Sequence, residues 1–273
     1  MKATKSTRMW QCGEKPVVIA HRGGGNEAPE NSLAAFANMD SKHFRFIETD
    51  SHATSDGVVI LIHDPDLRRT TDSRGRISKF TWEEILKVAD ESGNHPVRLD
   101  DALNGFPNLI FNVDAKSQHV VRHLIKTIKR CDAIDQISLS SFNETRLKYL
   151  RRKLPGVHTS LGKGAIAVLV IAAMLPPKMG RKLARTVPGV RHGVEAIQVP
   201  LLHGGIPVLT PRLIELCHER GQAVHAWTIN DPDVMRTLIE QGIDALITDE
   251  PTLAQKVIDE EWTKLGKIRK EEK

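Results

Sequence analysis

Cysteine, aromatic residues and long apolar runs are all scarce in this chain of 273 residues. The three cysteines, Cys12, Cys131 and Cys217, lie far apart and form no CxxC pair, which argues against a disulfide framework and favours a reducing cytoplasm. Aromatic residues make up 4% of the chain, little to stack bases on, and no zinc-finger spacing or RNA-recognition motif occurs, so nucleic acid is not an expected partner. No stretch reaches the roughly 18 apolar residues of a membrane-spanning helix. The N-terminus MKATKSTRMWQCGEKP is basic but lacks the apolar segment of about 7–15 residues that a secretory signal needs. No GxGxxG follows the first apolar run, which argues against a dinucleotide fold.

What is present is charge, histidine and a regular alternation. There are 39 Lys and Arg against 34 Asp and Glu, for a formal net charge of +5, and 12 His. Lys178, Arg181, Lys182, Arg185 and Arg191 stand together with no acidic residue between them, so positions 178–191 account for the whole excess. The charge therefore marks one surface segment rather than a uniformly basic protein.

Short β-like runs alternate with helical ones. The runs are 17–20, 45–50, 58–62, 109–113, 136–139, 157–161, 196–199, 223–227 and 245–247. Helical patterns fall at 33–39, 120–129, 142–150, 211–220 and 233–241. Ser32 is placed to cap the first of these; in the last, Val234, Leu238 and Gln241 share a face and Gly242 supplies the terminal turn. If 58–62 is an extension of the second strand, eight α/β units result, which favours a closed barrel over an open doubly wound sheet. Residues 65–103 are long for one connection and read as an insertion after the second strand, with a helix at 82–89 that can cap one barrel end. The segment 164–191 reads either as a buried barrel helix with a polar exit or as a lid or membrane-facing lip, and Pro176 and Pro177 are expected to end any helix there.

Polar residues recur where these strands end. His21 and Arg22 follow the first; Glu48 and Asp50 close the second at i, i+2, so both can face one side; His63 and Asp64 follow the next run; Asp114 and Lys116 end the third barrel strand, again at i, i+2. A single such pair can be an ordinary polar strand exit. Their recurrence at successive exits points to the active-site end of a β/α barrel. Three carboxylates suit Mg²⁺ or Ca²⁺ better than zinc, Arg22 and Lys116 can hold a phosphate, and two imidazoles can share acid and base work. That combination is phosphoester chemistry.

The sequence closely resembles the glycerophosphodiester phosphodiesterase family. The matching words are AHRGGGNEAPENSLAAF at 20–36, FIETDSHATSDGVVILIHDPDLRRTTDSRG at 46–75, NVDAKS at 112–117, ISLSSFN at 137–143 and AIQVP at 196–200, with HAWTINDP and GIDALITDEP near the end. The resemblance covers about residues 16–255 and implies a TIM (β/α)8 barrel, flanked by a basic extension at 1–15 and a charged helix or tail at 256–273.

It also implies roles. Glu48, Asp50 and Asp114 would ligate one divalent cation, Mg²⁺ or Ca²⁺ first and Mn²⁺ next; His21 and His63 would be the acid/base pair. Arg22 would hold phosphate, and Lys116 would hold phosphate or order the carboxylates. Trp227 would line the substrate side, Gln198 would add a polar contact, and Glu30 and Asn31 would support the loop after the first strand. One histidine, with the cation, would activate the glycerol 2-hydroxyl to attack phosphorus, and the other would protonate the leaving alcohol. Water would then open the cyclic phosphate, giving sn-glycerol 3-phosphate. Asp114 stands where the family commonly has Glu, which leaves the choice of cation open. The glycines at 23–25 either admit a phosphate or simply make a turn. Two competing readings are a lysophospholipase D-like enzyme, suggested by the apolar run 165–175, and a non-catalytic barrel that binds a phosphate ligand. The expected partner is a small glycerophosphodiester, with a weak peripheral membrane contact through 165–191, in a monomer or dimer.

Overall fold

The computed structural model describes residues 9–71, 73–90 and 93–271. Residues 1–8 of the basic extension, 72 and 91–92 of the insertion, and 272–273 of the C-terminal segment lie outside the described residues. Eight strands form the barrel: β1 (Val17–His21), β2 (Phe46–Ala53), β3 (Ile110–Ala115), β4 (Ile137–Ser140), β5 (His158–Thr159), β6 (Ala196–Val199), β7 (Ala223–Ala226) and β8 (Ala245–Thr248). They are hydrogen-bonded in the order β5-β4-β3-β2-β1-β8-β7-β6, each pair parallel. A single parallel bridge, Thr159 to Val194, joins the two ends, with the Thr159 N–H donating to the Gly193 carbonyl at 2.8 Å. The sequence expectation of a closed (β/α)8 barrel therefore holds.

Helices cover the outside because each presents one apolar stripe. Ser32 caps Leu33–Ser41, its hydroxyl accepting from Ala35 N–H at 3.0 Å. That helix buries Phe36 edge-on against Phe111, with ring centres 5.4 Å apart. In Pro232–Glu240 the buried face is Met235, Leu238 and Ile239. Val234, expected on that face, is half-buried and packs against the same cluster, whereas Gln241 is exposed just past the helix end. The outer core falls into two clusters, one running from Ala20 to Val157 and the other drawn almost wholly from Leu161 to Ile258.

The insertion is built on β2. Val59–Leu61 pairs antiparallel with β2, and Val97–Arg98 pairs with Val59–Leu61. Its own small core contains Ile60, Ile62, Leu67, Ile77, Ile85 and Val88. The helix expected over 82–89 is one turn, Trp82–Ile85, set by a capping box between Thr81 and Glu84; the backbone then tightens to bring Val88 into that core. The segment 164–191 forms two helices, Lys163–Met174 and Pro177–Ala184. Pro177 begins the second helix at its first position, where a missing N–H costs nothing, so the proline pair both ends and starts a helix. The first of these helices buries Leu169 and Ala172 and leaves Ile171 and Met174 exposed, so it is not wholly buried. No helix among the described residues is long and apolar enough to cross a membrane, and none of the three cysteines is in a disulfide.

Residues 9–13 pack against the barrel. Trp10 is buried at the end opposite the strand exits, packed on Ile19, Phe46, Ile110, Ala196, Ala223 and Ala245. Its ring centre is 4.6 Å from those of Phe46 and His225, and its backbone N–H donates to Glu195 at 3.3 Å. Gly13 N–H donates to Asp244 at 2.6 Å, fastening the same stretch. Trp10→Ala is expected to cost about 3–5 kcal/mol, the usual cost of emptying a buried aromatic site, read from urea unfolding. A loss under about 1 kcal/mol would show that the ring does not plug the barrel.

Candidate active site

The register of the first three strands assembles the site. His21 stands beside Glu48 across β1 and β2, and Asp50 beside Asp114 across β2 and β3. With side chains alternating along each strand, Glu48 and Asp50 share the inward face, and Asp114 joins them. His63 follows Val59–Leu61, and Lys116 follows β3, so both arrive at the same end. His21, Arg22, Glu48, Asp50, His63, Asp114, Lys116, Gln198 and Trp227, all marked in the sequence, line one cavity of about 430 Å³ at the strand exits.

Charge inside it is tightly balanced. The Lys116 ammonium donates to Asp50 at 2.7 Å and to Asp114 at 2.8 Å. Burial works to lower the Lys116 pKa, but the charges and hydrogen bonds of Asp114 and Asp50 hold it above its ordinary value. Arg22 lies 3.3 Å from Asp50 and donates to Glu30 at 3.1 Å. Burial, followed by the neighbouring charge of Asp50, pushes the Glu48 carboxyl well above the usual range despite Lys116. Three buried carboxylate oxygens, Glu48 Oε2, Asp50 Oδ2 and Asp114 Oδ1, have no hydrogen-bond donor. Among the described residues no three His, Cys, Asp or Glu side chains are drawn together closely enough to hold a metal as they stand.

The loop after β1 has local causes. Arg22 has φ 52°, and Gly23 and Gly24 follow at 85° and 88°. A Cβ on Gly23 would meet Ala35 at 2.8 Å, and one on Gly24 would meet Pro251 at 2.9 Å. These two glycines thus serve a tight turn against protein, and neither lines the cavity. Asn31 N–H closes the loop on the Arg22 carbonyl at 2.8 Å, and the Asn31 amide oxygen accepts from Thr49 at 2.6 Å. Glu30 lies outside the cavity, held between Arg22 and Arg69. The run 165–175 also leaves the site. The helix carrying it starts at the rim with Lys163, and a rise of about 1.5 Å per residue takes its far end away, so none of 164–191 lines the cavity.

A model of the glycerophosphoryl diester phosphodiesterase family matches residues 21–253. The chain belongs to that family. With it, the chain is an enzyme, a phosphoric diester hydrolase. A Mycobacterium tuberculosis protein named probable glycerophosphodiester phosphodiesterase 2 is 33% identical over 89% of this chain and 90% of its own length. A glycerophosphodiester phosphodiesterase of Caldanaerobacter subterraneus is 29% identical over 87% and 95%. The solved structure of an Oleispira antarctica phosphodiesterase in complex with the product sn-glycerol-3-phosphate shares the fold, with TM-score 0.73, 24% identity and coverage of 89% of this chain and 97% of that one.

The structure gives roles to residues to which the sequence assigned none. His21 Nδ1–H donates to Asp249 at 2.6 Å, and His63 Nδ1–H donates to Asp64 at 2.7 Å. Burial works to raise the Asp249 carboxyl, but hydrogen bonds from His21 and Asn230 hold it below its usual value, so it is an ionised acceptor. Asp64 is likewise held low against burial by His63 and Arg69. Each imidazole therefore keeps its proton on Nδ1 and leaves Nε2 as the free nitrogen; that of His21 is 3.8 Å from Glu48. The Asp64 signal was its place next to His63; that of Asp249 was the TDEP word. Phe142, also on the cavity wall, stood in the ISLSSFN word without a role, and Lys163 beside it carried no signal. Asp249→Asn is expected to lower kcat at least about tenfold with KM little changed, because the ring loses the partner that fixes its tautomer. Steady-state kinetics check this, and wild-type kcat in the variant would remove the positioning role.

Proposed function

We propose that this enzyme hydrolyses glycerophosphodiesters to sn-glycerol 3-phosphate and an alcohol, with His21 and His63 as its acid/base pair. The observation that supports this best is the meeting of both free Nε2-bearing rings, Arg22, Lys116 and three carboxylates in one cavity at the strand exits. The glycerophosphate bound by the Oleispira antarctica relative fits the same reading.

A divalent cation suits the residues present. A buried carboxylate oxygen without a donor is costly, and Glu48, Asp50 and Asp114 each have one. These three would hold the ion, Mg²⁺ or Ca²⁺ first and Mn²⁺ next. When bound, it neutralises charge developing on the phosphoryl oxygens. Arg22 and Lys116 bind and orient the phosphate. One imidazole takes the proton of the glycerol 2-hydroxyl as that oxygen bonds to phosphorus, and the other protonates the departing alcohol oxygen as its P–O bond breaks. Water then opens the cyclic phosphate with the two roles exchanged. Trp227 and Gln198 contact the organic part of the substrate, while Glu30 and Asn31 hold Arg22 in place.

The same reading takes residues 16–255 as the catalytic barrel with its insertion at 65–103, between flanking segments 1–15 and 256–273, in a cytoplasmic enzyme. His21→Ala and His63→Ala are each expected to lower kcat about 10²–10⁴-fold while keeping the wild-type thermal transition. A chelator should abolish release of sn-glycerol 3-phosphate, and Mg²⁺, Ca²⁺ or Mn²⁺ should restore it, followed by a coupled dehydrogenase assay. Full activity in both variants, or no hydrolysis with any of the three ions, would falsify the mechanism.

A weak peripheral membrane contact is also proposed. Exposed Ile171, Met174 and Met179 and exposed Lys178, Lys182 and Arg185 lie within fifteen consecutive residues, 171–185, a mixture of apolar and basic groups that suits an anionic surface. Co-sedimentation with phosphatidylserine vesicles should fall on charge reversal of these three basic residues. Sedimentation equal to that with neutral vesicles would reject the contact.

A further inference from the structure

The cavity has two walls of different chemistry. Every carboxylate lining it, Glu48, Asp50 and Asp114, comes from β2 and β3. The exits of β4 to β7 supply the hydroxyls of Ser140, Ser141 and Ser160, the rings of Phe142 and Trp227, and the ammonium of Lys163, but no carboxylate. Phe142 is 51% exposed and its ring centre lies 6.0 Å from that of Trp227, so this wall forms the open rim.

Lys163 differs from the other cations of the cavity. Arg22 and Lys116 are each committed to carboxylates. Among the described residues Lys163 makes no ion pair, and its ammonium lies 4.3 Å from the centre of the Phe142 ring. Its charge is therefore available to a ligand. It also stands at the aromatic face that a quaternary ammonium would need, and no carboxylate is present on that wall to draw such a cation in.

We propose that the β4–β7 wall is the leaving-group subsite, and that Lys163 selects hydroxylated leaving alcohols carrying a negative group over choline-like cations. The proposal rests on the hydrolase reading above. In that reaction the glycerol half is common to all substrates, while the alcohol varies in size, so the alcohol takes the open rim and glycerol the enclosed carboxylate side. The Ser140 and Ser160 hydroxyls then meet a polyol with donors and acceptors of their own kind, while Ser141 is held by Ala115 and Arg146, and the ammonium meets an anion.

The test compares kcat/KM for glycerophosphoinositol 4-phosphate, glycerophosphoinositol and glycerophosphocholine, in wild type and in Lys163→Met and Lys163→Glu. The first two share one polyol and differ by a phosphate. Wild type should favour the phosphorylated substrate over its neutral parent by about tenfold or more at low salt, with the margin shrinking as salt is added, and the choline substrate should be the poorest. Lys163→Met should bring the phosphate preference to about one, and Lys163→Glu should invert it and improve the choline substrate relative to the others. A change in these ratios is not produced by loss of folded enzyme, which lowers all three rates together. If the ratios in Lys163→Met equal those of wild type, the subsite assignment is wrong. If all three substrates lose equally in a variant that keeps its thermal transition, Lys163 holds the scissile phosphate and the assignment is again wrong. Wild type that cleaves none of the three with Mg²⁺, Ca²⁺ or Mn²⁺ removes the hydrolase reading itself, and the subsite with it.

Discussion

The mouth of this barrel depends on the two contacts of Lys116. Its ammonium spans Asp50 and Asp114 at 2.7 and 2.8 Å, and the Asp50 side chain is only 2% exposed. Buried carboxylates this close repel one another and have lost their water, a combination a fold tolerates only with a cation among them. NVDAK supplies charge and countercharge together, since Asp114 and Lys116 are two residues apart. Arg22 does the same work from the neighbouring exit. The compensation is incomplete, because Glu48 is still pushed toward its neutral form and three carboxylate oxygens have no donor. The site is thus balanced enough to fold while three of its carboxylate oxygens stay without a donor.

Register turns this balance into a defined geometry. Parallel pairing puts Asp50 level with Asp114 and His21 level with Glu48. A slip of one residue on β2 would turn both of its carboxylates to the outside of the barrel. The inward faces are fixed from below by apolar residues of the same strands, Ile19, Phe46 and Ile110, around Trp10. Packing at one end of the barrel therefore sets the electrostatics of the other.

The sequence disclosed what is local and hid what closure brings together. Short apolar runs bounded by turn residues revealed the strands, because a parallel barrel buries both faces of each. His-Arg, Glu-x-Asp, His-Asp and Asp-x-Lys were visible because each lies within one strand exit. The pairing of His21 with Asp249 spans 228 residues and exists only because β8 returns to β1. Lys163 was silent, and Phe142 had no role within ISLSSFN, for the same reason: their neighbourhood comes from adjacent exits. Trp10 was hidden by its basic surroundings, which gave no sign that one ring was buried. The +5 located a surface segment correctly, but that segment lies on helices leading away from the chemistry, with Arg181 tied to Glu219 at 2.6 Å.

The seam between β5 and β6 has a mechanical consequence. β1 and β8 are joined by four registered residue pairs, whereas β5 meets the next strand through one bridge, and the two outer core clusters divide at that line. Side chains also cross this line, because His158 of β5 lies 3.1 Å from Glu195, which stands just ahead of β6. Glu195 in turn accepts from the backbone N–H groups of Met9 and Trp10. The seam with the fewest strand contacts is thus the one that the stretch around Trp10 clamps.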